Sequence, residues 1–281
     1  MGLRINTNVP ALVAQRNLRV TRGALDKSLE RLSSGSRINH AGDDAAGLAI
    51  SESLRAQIRG LGQAERNAQD GISLVQVAES AMGEVSNILI RMRELGVQAA
   101  SDTVGPTERK FMDVEFQQLG SEIDRIANST EFNKVPLLNG TASTFEIQIG
   151  TRNNPNVDRV RLFDTNAADI NTVALGMNLA TVQDKASAQN SLAAIDTALT
   201  SVTSIRAEFG AMQNRLQSVI NNLMVSKENL AAANSRIRDA DLAEETTEMT
   251  KQQILMQSGV AVLGQANSTT KSVLSLLGDR G

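Results

Sequence analysis

Apolar residues recur every seven positions over most of this chain. Near the start, Leu18, Leu25 and Leu32 lie seven apart, with Leu29 four after Leu25. From residue 54 the spacing continues through Leu54, Leu61, Ala68, Val75, Met82 and Leu89, joined by Ile58 and Ile72. A second stripe then steps by three and four through Ala78, Ala81, Val85, Ile88, Met92, Leu95 and Ala99. Two stripes on one helix need two packing partners, so the pattern predicts a bundle rather than a simple pair. One helix over residues 45–100 would be about 80 Å long at 1.5 Å per residue.

Gly105-Pro106 opens a third helical segment, with the proline suited to a first turn, and its stripe is Met112, Phe116, Leu119, Ile123 and Ile126. After residue 180 the heptad returns as Ile195, Val202, Phe209, Leu216, Leu223, Leu230 and Ile237. The last segment carries Leu242, Met249, Met256, Leu263, Thr270 and Leu277. Sustained heptads of this length predict coiled-coil packing. Between 131 and 178 the period changes. Phe145, Ile147 and Ile149 alternate with polar residues, GTRNNPN is turn-rich, and Val160 and Leu162 alternate again. This predicts one β-hairpin. The expected fold is therefore mainly α: an elongated antiparallel helical bundle or coiled coil, with a small hairpin at the far end. The first and last segments each carry one apolar stripe. They can pair with each other, pack on copies of themselves, or order only on assembly.

Composition supports this reading. The chain has 281 residues with six Phe and neither Trp nor Tyr, so aliphatic side chains must fill the core, as they do in helical bundles. The absence of cysteine excludes disulfides, thiol catalysis and thiolate metal sites. A net charge of −3 gives no case for nucleic acid. The two ends differ in charge. Residues 1–50 carry seven basic against four acidic side chains, a net +3, and residues 238–281 carry four against six, a net −2. Complementary ends suggest that the termini meet. No run is apolar enough to predict membrane insertion. The opening MGLRINTNVPALVAQRN lacks the apolar stretch of a secretory signal, and Asn6 breaks the myristoylation pattern.

Residues 33–52, SSGSRINHAGDDAAGLAISE, hold the residues that most invite a chemical reading. His40 is the only histidine, and with Asp43 and Ser51 it supplies the residue types of a catalytic triad. Triads are defined by geometry, and any polar turn of this composition offers the same letters. The structural reading needs no catalysis. Gly35 can end a helix, Gly42 can turn the chain, and Asn39, Asp43 and Asp44 are turn and N-cap residues ahead of AAGLAISESL. The chain has no phosphate loop, dinucleotide fingerprint or H-E-x-x-H, and no cofactor is expected. Three Asn-x-Ser/Thr matches, at Asn128, Asn139 and Asn267, are frequent by chance.

Taken together, INTNVPALVAQRNL, LERLSSGSRINHAGDDAAGLAISESLRAQIRGL, NAQDGISLVQVAESAMGEVSNILIRMRELGVQAA, EIDRIANSTEFNKVPLLNG and SRIRDADLAEETTEMTKQQILMQSGVAVLGQAN resemble the bacterial flagellins over nearly the whole chain. The resemblance implies a secreted, extracellular structural protein, not an enzyme, that polymerises with itself into the flagellar filament for swimming. It implies residues 1–44 and 235–281 as filament-core helices, with Leu18, Leu25, Leu32, Leu242, Met249, Met256, Leu263 and Leu277 as their heptads. Residues 45–234 are then the rod domain, carrying the hairpin region 131–178, with no large outer domain. Gly35, Asn39, His40, Gly42, Asp43 and Asp44 form the joint between the terminal and rod helices.

The implied partners beyond copies of the chain are an export chaperone of the flagellum's own type III apparatus, hook–filament junction and cap proteins, and host sensors. For an animal Toll-like receptor the matching positions are Arg91, Leu95 and Glu115. For cytosolic sensors they are Val273, Leu274, Leu276 and Leu277. Two other functions stand beside this one: a hook–filament junction protein, and a hydrolase using His40 with Asp43.

Overall fold

The computed structural model describes residues 7–141, 144–163 and 168–278, with side chains described as far as residue 269. Five helices and two small antiparallel strand pairs are present among them. The helices are α1 (Val9–Ser34), α2 (Ala45–Ala99), α3 (Pro106–Ser129), α4 (Lys185–Arg238) and α5 (Leu242–Gly278). The strands are β1 (Glu131–Phe132), β2 (Val135–Pro136), β3 (Phe145–Gln148) and β4 (Arg159–Phe163). The helix limits follow the heptads. Asn8 caps α1 by accepting from the Ala11 N–H at 3.2 Å, and Pro106 opens α3.

The contacts divide the chain into two units, residues 57–228 and residues 1–56 with 229–281. The division falls inside α2 and α4, because the first turns of α2 and the last turns of α4 bond within the second unit. Glu52 and Arg238 form an ion pair at 2.5 Å there.

In the unit of residues 57–228, α2 runs antiparallel to α3 and to α4. Arg93 pairs with Asp196 at 2.8 Å and Lys227 with Glu65 at 3.1 Å along one seam. Arg91 reaches Glu115 at 2.9 Å along the other. The stripes read from sequence form the core: Val75, Met82 and Leu89 are wholly buried, as are Ile195, Val202 and Leu216, with Phe116 and Phe209 at 1 % exposure. Gly71 lets the hairpin approach α2, since a Cβ there would lie 2.3 Å from Ile147 Cδ1.

The expected hairpin is β3–β4, pairing Ile147 with Val160, and its register slips by one residue between Phe145 and Glu146. A second pair, β1–β2, was not expected from sequence. Its turn places Asn133 and Lys134 at φ 51° and 65°, both left-handed. The pattern hides it because each strand is two residues long and lysine is an unusual occupant of that conformation.

Residues 137–141 and the segment 168–184 leading into α4 carry no helix or strand, yet they contribute Leu137, Leu138, Ile170, Leu175, Met177 and Val182 to the core. Two α3 carboxylates hold the segment. Asp124 accepts the Thr172 N–H and hydroxyl at 2.8 and 2.9 Å. Asp113, 6 % exposed, accepts the Thr181 hydroxyl, the Val182 N–H and the Gln183 amide at 2.7–2.9 Å. Burial opposes the Asp113 charge, but these donors outweigh it and hold the carboxyl below the usual range.

Candidate functional site: the joint and the paired terminal helices

The site lies within the unit of residues 1–56 and 229–281. Helix α1 stops at Gly35, whose φ of +67° is the left-handed cap that glycine adopts without a Cβ penalty. The chain then turns around Asp43. Its carboxylate accepts the backbone N–H groups of Asn39 and His40, each at 3.2 Å, and the Lys27 ammonium of α1 at 2.6 Å. The Lys27 hydrogen bond, with the two amides behind it, holds the Asp43 carboxyl far below the usual carboxylate range. Asp44 is a separate device: its Oδ1 accepts the Gly47 N–H at 2.8 Å and caps α2. Asn39 donates from its side chain to the Ser34 hydroxyl at 2.8 Å. Ile38, at 1 % exposure, fills the inside of the turn.

Two glycines exchange roles relative to the sequence reading. Gly42 has open space around it and no left-handed φ, so nothing in the structure requires glycine there. Gly47 was not singled out, but a Cβ there would lie 2.4 Å from Asp44 Oδ2 and 2.9 Å from Ile38 Cδ1. Asp44 and Ile38 together leave little room for a Cβ at position 47, which the sequence pattern does not carry. His40 turns its Nε2 to Glu30 at 2.8 Å and is largely exposed. The Ser51 hydroxyl, fully buried, donates to the Leu48 carbonyl at 3.0 Å. His40, Asp43 and Ser51 therefore have three different partners and do not form a triad.

The return connection, between α4 and α5, lies against the same turn. Ser36 and Asp239 form an antiparallel bridge. Around it the Arg37 N–H donates to the Arg238 carbonyl at 2.6 Å and the Ala240 N–H to the Gly35 carbonyl at 3.0 Å. The Arg37 guanidinium adds a bond to the Ile237 carbonyl at 2.7 Å. Arg238 in turn lowers the Glu52 pKa by hydrogen bonding. Arg37, Arg238 and Asp239 enter the sequence reading only through the charge of the two ends, since backbone pairing between residues two hundred apart leaves no local signature.

Beyond the crossing, α1 and α5 run antiparallel. Along α1 the seam positions are Ala11, Ala14, Leu18, Thr21, Leu25, Ser28 and Leu32, with Ala24 and Arg31 partly covered beside them. Along α5 they are Glu245, Met249, Gln252, Met256, Gly259, Leu263 and Ala266, with Glu248 partly covered beside them. Both sets alternate steps of three and four, the geometry of a coiled-coil seam. Arg31 pairs with Glu245 at 2.7 Å, Asn8 donates to the Ala266 carbonyl at 3.1 Å, and Leu18 sits where a Cβ on Gly259 would be, 2.7 Å away.

Six of the eight expected heptad residues thus lie in the seam. Leu242 does not, being 58 % exposed. Leu242 is the first residue of α5 and faces the end of α1, and the seam begins at Glu245. The Leu277 side chain lies outside the described residues, as do those of Val273, Leu274 and Leu276.

In the other unit, Arg91 binds Glu94 and Glu115, at 2.9–3.0 Å, on a solvent face. The two acids raise the Arg91 pKa, Glu115 most. Leu95 does not share that face: at 2 % exposure it packs in the core.

Two family models match the chain, the bacterial flagellin N-terminal helical region over residues 5–143 and the bacterial flagellin C-terminal helical region over residues 192–277. The flagellin of Halalkalibacterium halodurans is 47 % identical over 273 residues, covering 97 % of this chain and 99 % of that protein. The flagellin of Bacillus subtilis is 43 % identical over 306 aligned positions, covering 98 % and 100 %. The crystal structure of Bacillus cereus flagellin superposes with a TM-score of 0.50 at 37 % identity, covering 60 % of this chain and 94 % of that one. With both terminal models matched and full-length relatives at this identity, the chain belongs to the bacterial flagellins.

Proposed function

We infer that this chain is the structural subunit that polymerises with itself into the bacterial flagellar filament, outside the cell, and serves swimming motility. The observation that carries the reading is the full-length identity to flagellins, the middle of the chain included. It disfavours the hook–filament junction alternative. The physical arrangement agrees. Val9, Leu12, Val13 and Val20 on α1, and Ile254, Leu255 and Val262 on α5, remain exposed at 41–70 % in one copy. Apolar faces of this kind are covered when neighbouring copies pack on them, and a head-to-tail contact that does not close generates an open helix. Among the described residues no helix is long and apolar enough to cross a membrane.

Finer assignments extend this reading. Residues 1–44 and 235–281 serve as the filament-core helices and 45–234 as the rod. Gly35, Asn39, Asp43 and Asp44 serve as the joint. The chain works without catalysis. Arg91 and Glu115 present a charged face to a host receptor, with Leu95 holding that face from beneath. The C-terminal helix serves an export chaperone, and its last turns serve cytosolic sensors. Junction and cap proteins meet the subunit at the filament's ends. Electron microscopy of purified protein added to filament seeds tests the central claim. Long filaments are expected, and addition of a single layer without elongation would instead identify a junction protein.

A further inference from the structure

Asn139 is followed by Gly140, the one Asn-Gly pair in the chain. The pair lies in the unit of residues 57–228, shortly after β2. Just before it, Leu138 is wholly buried and its carbonyl accepts the Ile170 N–H at 3.1 Å. Asn139 closes a turn of its own. Its side-chain carbonyl, Oδ1, accepts the Thr141 N–H at 3.1 Å and the Thr141 hydroxyl at 2.6 Å. Such a turn folds the side chain over the next peptide as a β-turn folds the backbone. The Asn139 amide carbon is thereby held beside the Gly140 nitrogen, and Gly140 has no side chain to hinder its approach. Among the described residues, neither the Gly140 N–H nor the Asn139 amide NH2 has a hydrogen-bond partner. Two donors therefore polarise the carbonyl, while the nucleophile and the leaving group are both free.

We propose that Asn139 is a self-modifying site, an asparagine that converts to aspartate and isoaspartate without an enzyme. The Gly140 nitrogen attacks the Asn139 Cγ, and a C–N bond forms. The charge that develops on Oδ1 is met by the two Thr141 donors, as in an oxyanion hole. The Cγ–Nδ2 bond then breaks, and ammonia leaves carrying the proton from the Gly140 nitrogen. Water opens the resulting cyclic imide. Opening at Cγ gives aspartate, and opening at the backbone carbonyl routes the chain through the side chain and gives isoaspartate. Nothing is oxidised or reduced. Either product sets a new carboxylate near Asp169, whose Oδ2 lies 2.7 Å from where a Cβ on Gly140 would be, and like charges repel. Modification therefore loosens residues 169–171 from residues 138–139. In a filament the site would record the age of each subunit. That consequence rests on the filament-subunit reading. The chemistry itself does not.

The test uses the full chain in solution. Folded protein is held at mildly alkaline pH in water enriched in heavy oxygen. Peptide mass spectrometry then reads, at each asparagine, the loss of ammonia and the gain of heavy oxygen. Asn139 is expected to convert at least about tenfold faster than Asn190, which lies with Ser191 inside α4. It should also convert at least as fast as in the same chain unfolded in urea, because the turn supplies the attack geometry in advance. Thr141→Val removes the hydroxyl and keeps the N–H at an exposed position, and should slow conversion at least about threefold. Slower conversion in the folded than in the unfolded chain, or a Thr141→Val rate equal to that of the intact chain, overturns the proposal. Neither readout requires polymerisation, so seeded elongation of the unmodified chain tests the filament reading separately.

Discussion

The core of residues 57–228 and the seam between α1 and α5 use the same heptad spacing for different ends. In the first, most heptad positions are fully buried: Met82, Leu89, Ile195 and Leu216 have no exposed surface. In the second, Leu18, Leu25, Met249 and Met256 are only half-buried, and the positions between them are small or polar. The first region is covered by α2, α3, α4 and the segment pinned by Asp113 and Asp124, so it closes within one chain. The second has two helices and nothing else, and a two-helix seam leaves most of each helix's circumference open. Heptad spacing thus specifies that a helix packs, whereas the number of helices around it decides whether packing is finished. The exposed valines and isoleucine of the terminal pair are what unfinished packing looks like in a subunit whose remaining partners are copies of itself.

This contrast can be broken first in the closed core. Phe209 is 1 % exposed and its ring lies 5.0 Å from that of Phe163. Phe209→Ala should cost about 3–5 kcal/mol, read as a lowered denaturation midpoint, with any loss of filament following from loss of folded subunit.

The opposite pattern is expected in the seam. Gly259→Val would drive a side chain into Leu18 and should slow seeded elongation at least about tenfold, equivalent to ~1.4 kcal/mol. The unfolding midpoint of residues 57–228 should stay where it is. A shift in that midpoint would show that the two regions are not separable as described.

Asp43 sharpens the comparison through pH. Its carboxyl is held far below the usual range by Lys27 and two backbone amides. For a group depressed on folding, the stabilising contribution is present above the unfolded pKa and is lost as the pH falls through the folded one. The turn should therefore stay intact while ordinary carboxylates protonate near pH 4. Carboxyl carbon NMR of Asp43, against Asp43→Asn as the assignment control, should show it still ionised there. A titration at the ordinary aspartate value would remove the clamp from the account.

The smallest effects concern glycine. Lys134→Gly should stabilise residues 57–228 by about 0.5–1 kcal/mol by relieving a left-handed lysine, while Gly42→Ala should change stability by less than about 0.5 kcal/mol. Thermal melts of the two variants check both.

The sequence by itself determined the helices, because their stripes are periodic and local capping signals mark several ends: Gly35, Asp44 and Pro106 all act where the pattern places them. It determined the β3–β4 hairpin by alternation, and the family by motifs that span the chain. Only the tertiary structure decided which apolar positions are closed. Leu95 and Leu242 are the same residue type at helix-periodic positions, yet one is core and the other is solvent-facing. The crossing of Ser36 with Asp239 was also decided there, as were the Asp113 and Asp124 clamps, the tight space at Gly47 and the open space at Gly42. These depend on groups far apart in the chain, or on the space a neighbour leaves. Periodicity encodes a direction around a helix, but what stands in that direction is fixed only when the chain folds.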